Sequence, residues 1–297
     1  MTFLEELTYI TKGKYLENVK LKSFTTIGIG GKAKYFVYAE SLLQINKLII
    51  LCKKKRVKYF ILGGGSNILV SDNGFDGLVI CTKNFSSIIP TDNGVFVTAG
   101  VSVKKLLDFL VKESLSGLEF LSGIPATVGG VIACNAGAFN SSVSNVVKEV
   151  RVLKGEKILV FDKDSCKFGY RTSRFLQGKG VIVSAKLNLY KKDKEKVKEE
   201  ILKNKLFRKE FQPTGKTFGS VFKNGKDYFA GELIDKAGLK GLVVGGAKIS
   251  SKHANFIVNE KNATAKDVVF LIERVKKEVL HKFGVQLVPE VKLIGDF

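Results

Sequence analysis

The chain has 297 residues, 45% of them hydrophobic and 26% charged, with a formal net charge of +21. That length and balance allow two domains, or one large one, with substantial cores, and exclude disorder as the main theme. Positive charge of this size favours anionic partners, and small phosphorylated ligands answer to it as well as nucleic acid does. Residues 1–10 include Glu5 and Glu6 with no basic segment leading into an apolar one, and no run approaches the roughly 18 apolar residues of a membrane span. A soluble, cytoplasmic protein is expected, without membrane insertion. Cys52, Cys81, Cys134 and Cys166 are widely spaced among apolar residues and form no CxxC pair, so they read as reduced and mostly buried thiols. The two histidines, His253 and His281, are too far apart in the chain to start a metal site, and no metal is expected.

In chain order, residues 1–22 read as an amphipathic lead-in around Leu4, Leu7 and Ile10. Gly28, Gly30 and Ala33 match a dinucleotide-binding G-x-G-x-x-A, but polar residues precede them and a strand, residues 34–39, follows. A Rossmann turn needs the reverse order and is rejected, although a turn bringing Thr25, Ile27 and Gly28 to a ligand is not. Residues 40–56 have helical spacing and lead into a strand at 58–62. Further strands are expected at 78–80 and 95–99, then a helix over 100–115 capped by Ser102. Residues 146–153 and 157–161 form a hairpin across Lys154-Gly155-Glu156, and 180–190 alternate as a strand. The segment 191–210 is a charged helix with Val197, Ile201, Leu202, Leu206 and Phe207 as its apolar side. Its lysines alternate with Asp193, Glu195, Glu199, Glu200 and Glu210, a solvated face rather than a nucleic-acid groove. Gly215-Lys216-Thr217 is not a phosphate loop, because Glu210 occupies the position of the first glycine. A helix over 228–237 stops at Gly238, residues 256–258 are strand-like, and Thr264 opens a helix that Gly284 ends. Residues 285–295 read as an apolar strand broken by the carboxylate of Glu290.

Two glycine-rich stretches point to a large bound cofactor. The first runs through Gly63-Gly64-Gly65-Ser66-Asn67 at the end of a strand. The second runs from Gly123-Ile124-Pro125 through Thr127, Gly129 and Gly130 to Asn135-Ala136-Gly137, with four glycines and no charged side chain over residues 123–139. Backbone without Cβ atoms suits close approach to a flat, partly anionic ligand. Pro125 is expected to open a helix whose free N–H groups attract a diphosphate. A buried helix packed tightly at Gly129 and Gly130 is the other reading of the same residues.

These stretches, in order and spacing with Tyr170-Arg171-Thr172-Ser173, Gly219-Ser220-Val221-Phe222-Lys223-Asn224, Ala230-Gly231-Glu232, His253-Ala254-Asn255-Phe256 and Pro289-Glu290-Val291, resemble the UDP-N-acetylenolpyruvoylglucosamine reductases over nearly the whole chain. The resemblance implies an α+β fold: a vanillyl-alcohol-oxidase-type FAD-binding part of two subdomains, about 23–85 and 86–190, and a substrate domain over 191–297 whose last strand is free to return to the first part. It implies FAD as cofactor, NADPH as co-substrate, UDP-N-acetylglucosamine enolpyruvate as substrate, and a monomer working in peptidoglycan synthesis. FAD contacts fall on Thr25, Ile27, Gly28 and the two glycine-rich stretches, and substrate contacts on Tyr170, Lys223, Asn224, Gly231 and Glu232. Three residues are implied to be catalytic.

In the reaction that the resemblance implies, hydride passes from flavin N5 to the vinyl carbon of the substrate and leaves an enolate-like intermediate. Arg171 stabilises its charge, Ser220 gives a proton to the adjacent carbon, and Glu290 supports the intermediate. A hydroxyl is a poor acid, so a helper is needed, and Lys223 is the candidate. A carboxylate in an apolar strand costs stability unless partnered, which singles out Glu290 without the resemblance. Phe218 and Gly225 stand where the family carries alanine and proline, and Phe218 is expected to add bulk beside Ser220. The interval from Arg171 to Ser220 resembles the short form of the enzyme, which lacks a tyrosine-bearing loop over the substrate. A flavin oxidase of the same fold and a basic nucleotide- or nucleic-acid-binding module are the competing readings.

Overall fold

The computed structural model describes residues 1–178 and 180–297. The chain opens with helix α1 (Phe3–Thr11), closed at its start by a capping box between Thr2 and Glu5, followed by strands β1 (Leu16–Lys20) and β2 (Lys32–Tyr38). Helix α2 (Leu42–Lys54) starts where the Ser41 hydroxyl accepts from Gln44 N and leads into β3 (Lys58–Leu62), β4 (Ile68–Val70), β5 (Phe75–Cys81), β6 (Ile88–Thr91) and β7 (Gly94–Thr98). Helix α3 (Val103–Lys112) is capped by Ser102, as its sequence leads one to expect, and is followed by β8 (Leu115–Ser116). A short helix, α4 (Val128–Ala133), precedes β9 (Gly137–Ala138), β10 (Ser141–Ser142), β11 (Val147–Lys154) and β12 (Lys157–Asp162). The hairpin of β11 and β12 turns on Gly155 and Glu156 alone, because Lys154 already pairs with Lys157. Then come β13 (Val181–Asn188), β14 (Tyr190–Lys191) and α5 (Lys194–Phe211). The last part holds β15 (Thr217–Ser220), α6 (Ala230–Lys236), β16 (Val243–Val244), β17 (Ala247–Ile249), β18 (Phe256–Asn259), α7 (Ala265–Phe283) and β19 (Lys292–Ile294).

The chain forms two compact units, residues 1–17, 35–64 and 77–207 in the first, and 18–34, 65–76 and 208–297 in the second. In the first, the sheet β12-β11-β13-β7-β6 is antiparallel throughout, and α3 and α4 share a core with it that includes Val97, Leu106, Val131, Val150 and Leu187. A further core joins α1 and α2 to β5 through Leu7, Leu48 and Ile80, with β3 and β5 parallel. In the second unit, the antiparallel sheet β15-β18-β17-β16 carries α6 and α7, and β19 pairs in parallel with β4. Its core gathers Ile27, Leu69, Phe222, Ile234, Leu271 and Val275. Each aliphatic side chain taken fully out of water contributes roughly 1.5–3 kcal/mol, which is what these clusters set against chain entropy.

Two elements differ from expectation. On α5 the residues that pack inward are Val197, Ile201 and Asn204, whereas Leu202, Leu206 and Phe207 are exposed. Residues i, i+4 and i+7 make one stripe, and the three exposed residues lie beside it rather than in it. The expected terminal strand over 285–295 shortens to β19, because Pro289 has no N–H to sustain a ladder and makes only an isolated bridge with Phe222. Cys52, Cys81 and Cys166 are buried and Cys134 is half-buried, none of the four is in a disulfide, and burial pushes the Cys52 and Cys166 thiols up to about 12.

Candidate active site

In the first unit Gly63 and Gly64 lie against the second glycine-rich stretch. A Cβ at Gly63 would strike Thr127 Oγ1, and one at Gly64 would stand 2.7 Å from the Pro125 carbonyl oxygen and 2.9 Å from Ala126 Cα. Crossing backbone therefore demands glycine at Gly64, and the Thr127 side chain demands it at Gly63. Gly129 packs on Ala99, 2.9 Å from its Cβ to the site of an added one, as the buried-helix reading requires, while Gly130 has only Thr127 Oγ1 near, at 3.7 Å.

The expected helix start at Pro125 is corrected. Helix α4 begins at Val128 with Thr127 before it, and Pro125 and Ile124 lie outside, after Gly123 at φ +84°. The first amides of α4 are not free for a diphosphate either. Val128 N donates to Val101 O at 2.8 Å and Gly129 N to Ala99 O at 2.9 Å, because the segment that follows β7 runs past the helix start. Thr127 is 2% exposed, and its hydroxyl oxygen has no hydrogen-bond partner. An unpaired buried hydroxyl costs about 1–3 kcal/mol, which makes Thr127 a candidate for contact with a ligand's polar atom.

Asn135-Ala136-Gly137 holds Arg171. Asn135, left-handed at φ +44° and 6% exposed, donates from Nδ2 to Gly169 O at 2.9 Å and accepts from Ser144 N at 3.1 Å. Gly169 and Thr172 bridge each other, so Tyr170 and Arg171 form the tip of a tight turn, with Ser173 Oγ tied to Ala133 O at 2.6 Å. Arg171 Nη2 donates to Gly137 O at 2.6 Å, and its guanidinium carbon stands 5.3 Å from the centre of the Tyr170 ring. These two contacts orient the guanidinium.

In the second unit, the turn at Thr25 to Gly28 is packed on Gly65, whose absent Cβ would strike Phe24 O. Thr25 spends its hydroxyl internally, donating to Ile29 O at 2.8 Å, and the Ile27 side chain is fully buried. Thr26, which sequence reasoning passed over, is the residue here with a buried hydroxyl lacking a partner, and its N–H donates to Gly65 O at 3.0 Å. The Thr25-Thr26 pair ahead of Gly28 was the available signal.

The same unit brings together Asn67, Ser220, Lys223 and Glu290. Ser220 ends β15 opposite Phe256, directly after Gly219 at φ +86°. Glu290 N donates to Val221 O at 2.8 Å, and Lys223 N to Val288 O at 2.9 Å. Asn67 Nδ2 donates to Glu290 O at 3.2 Å, and Lys292 N to Asn67 O at 3.1 Å. Ser66 lies half-buried next to Asn67. Asn224 Oδ1 accepts from Ala230 N at 3.0 Å, capping α6. On that helix a Cβ at Gly231 would stand 3.1 Å from His253 Cε1, and Glu232 is paired with Lys236 at 2.6 Å. Burial pushes the His253 imidazole below its ordinary value, and its Nδ1 accepts from Asn255 N at 3.2 Å. Phe218 is 4% exposed and belongs to the core of this unit. A Cβ at Gly225 would stand 2.5 Å from Tyr228 Cζ, so the ring of Tyr228 lies on the backbone where the family's proline would be.

Among the described residues, no group of three or more His, Cys, Asp or Glu could hold a metal ion, and no helix is long and apolar enough to cross a membrane. Glycine-rich loops beside buried hydroxyls without partners suit a large polar cofactor. Residues 33–157 match the FAD binding domain family, which together with reductase relatives over nearly the whole chain makes this an FAD-binding oxidoreductase, and residues 212–294 match the UDP-N-acetylenolpyruvoylglucosamine reductase C-terminal domain. The chain is 39% identical over 282 residues to the UDP-N-acetylenolpyruvoylglucosamine reductase of Clostridium botulinum, covering 94% of this chain and 93% of that one. It is 40% identical over 295 residues to the enzyme of that name from Anoxybacillus flavithermus, covering 98% of each. The crystal structure of the Thermus caldophilus reductase superposes with a TM-score of 0.81 at 36% identity, over 93% of this chain and 98% of that one. The chain belongs to the UDP-N-acetylenolpyruvoylglucosamine reductase family.

Proposed function

We propose that this protein reduces UDP-N-acetylglucosamine enolpyruvate to UDP-N-acetylmuramate at the expense of NADPH, as a cytoplasmic monomer in peptidoglycan synthesis. Family membership supports the overall reaction. The observation that carries its chemistry is the 2.8 Å bond from Glu290 N to Val221 O, which holds the carboxylate's segment against the one bearing Ser220. FAD, when bound, supplies the hydride. The turn at 25–28 and the loops at 63–67 and 123–137 would hold it, and the partnerless hydroxyls of Thr26 and Thr127 fit a cofactor with many polar atoms. Cofactor binding is assigned to residues 23–190 and substrate binding to 191–297.

Arg171 offers a guanidinium already oriented by Gly137 and Tyr170, so charge that develops on the substrate carboxylate meets a cation that need not reorganise. Ser220 hands its hydroxyl proton to the carbon next to that carboxylate. Lys223 resupplies or polarises the hydroxyl, and Glu290 supports the enol form of the intermediate. Tyr170, Lys223, Asn224, Gly231 and Glu232 contact the UDP-sugar. The test separates the two half-reactions anaerobically: NADPH reduces the flavin, then the enolpyruvyl substrate is added, with Ser220→Ala beside the parent. The parent is expected to reoxidise and the variant to stay reduced, both after normal reduction by NADPH. A parent whose reduced flavin ignores the substrate but reacts quickly with air would instead be an oxidase of this fold.

A further inference from the structure

Asn255 is 4% exposed and uses its side-chain amide in an unusual way. After Ser220 the chain leaves β15, and main-chain pairing with β18 stops. Val221 N still donates to Asn255 O at 2.8 Å, but the next rung is built by a side chain: Phe222 N donates to Asn255 Oδ1 at 2.9 Å, and Asn255 Nδ2 donates to Phe222 O at 2.8 Å. The carboxamide thus stands in for a peptide group and gives Phe222 both bonds of a paired strand residue. On the opposite edge the same segment is held by Glu290 N on Val221 O and Lys223 N on Val288 O. The segment that follows Ser220 and pairs with the Glu290 segment is therefore gripped from both sides, and at Phe222 the Asn255 carboxamide supplies both bonds on one side.

We infer that Asn255 is a positioning residue for proton delivery: by bonding both main-chain groups of Phe222 it sets where the Ser220 hydroxyl and the Glu290 segment stand. The inference rests on the reading of Ser220 as the proton donor. It needs neither contact between Asn255 and substrate nor any change in how NADPH reduces the enzyme. A shift of about 1 Å in a reacting group is enough to cost on the order of a hundredfold in rate.

The experiment uses the FAD-loaded protein and four variants: Asn255→Leu, which loses both bonds; Asn255→Asp, which keeps an acceptor for Phe222 N; Ser220→Ala; and Ser220→Ala combined with Asn255→Asp. Flavin reduction by NADPH and flavin reoxidation by UDP-N-acetylglucosamine enolpyruvate are timed separately, and substrate affinity is read from the oxidised flavin spectrum. Reduction is expected within twofold of the parent in all variants and substrate affinity within threefold. Reoxidation is expected to fall at least 30-fold in Asn255→Leu, less in Asn255→Asp, and no further in the double variant than in Ser220→Ala alone, since a residue acting through Ser220 adds nothing once Ser220 is gone. Equal losses in both half-reactions, an additive double variant, reoxidation at the parental rate, or loss of bound FAD from both single Asn255 variants would each overturn the inference and leave Asn255 a folding residue. A parent that is not reoxidised by the substrate would instead overturn the proposed function itself.

Discussion

Arg171 adopts the left-handed conformation, φ +51°, which a residue with a Cβ enters at a cost of roughly 1–2 kcal/mol. Its bond to Gly137 and its place over Tyr170 hold it there, and Gly137 has no room to change: an added Cβ would stand 2.5 Å from Ser141 O and 3.0 Å from Arg171 Nη1. Gly137→Ala is accordingly expected to slow substrate-driven reoxidation at least tenfold, while NADPH reduction of the retained flavin changes little; stopped-flow absorbance separates the two. Lys223→Met is expected to slow the same half-reaction by about tenfold, the scale of a helper to a general acid. An unchanged rate would remove Lys223 from proton transfer. At this scale the sequence offers Arg171, Ser220 and Glu290 as candidates through their neighbours, whereas it gives Thr26 and Asn255 neighbours but no role. Thr26 differs from Thr25 in which hydroxyl finds a partner, and Asn255 acts through a main-chain rung, and neither can be told from residue type.

Helix α7 shows how much end chemistry a single element can carry. Thr264 and Asp267 form a reciprocal capping box, and Asp72, from a distant part of the chain, accepts from Ala265 N at 2.8 Å and Lys266 N at 3.2 Å. Losing an N-terminal cap costs about 0.5–2 kcal/mol, so Asp72→Ala is expected to lower the denaturant midpoint, with Thr264→Ala a smaller change because Asp72 still serves the same end. The box was legible in sequence, as were the Ser102 cap and the Gly284 stop, since these signals are local. Asp72 was not, because its partner helix lies far along the chain. Helix α4 was misplaced for a related reason: Pro125 signals a helix start only where no neighbouring chain claims the following amides, and here Val101 and Ala99 do. The His253 imidazole, next to α6, gives this unit a pH dependence. Burial depresses its folded pKa, so between that value and the unfolded one, about 6.5, the unfolded chain binds more protons. Stability is complete above this window and is lost as pH falls through it; melting temperatures from pH 8 to 5.5 are expected to fall less in His253→Asn than in the parent.

For the molecule as a whole, the charge of +21 suits the anionic character of FAD, NADPH and a UDP-sugar. Raising salt from about 0.05 to 0.5 M shortens the screening length several-fold, so KM for NADPH and for the UDP-sugar is expected to rise with kcat little changed. A KM indifferent to salt would assign the lysines to surface solvation alone.

The second unit is assembled from three separate stretches of chain, and its sheet, its longest helix and its serine-bearing segment all lie in the last of them. That last stretch is nevertheless not autonomous. Without residues 65–76, β19 has no strand to pair with and α7 loses the Asp72 cap; without residues 18–34, Asn259 Nδ2 has no Ile27 O to bond. The Asn67 to Glu290 bond alone closes a loop of 223 residues, an entropic cost met only when the intervening chain folds as well. A peptide of residues 208–297 made alone is expected to give the circular dichroism of a largely unstructured chain. Supplying the two missing stretches by circular permutation or fusion, rather than trimming to a contiguous boundary, is the route to an independently folding half.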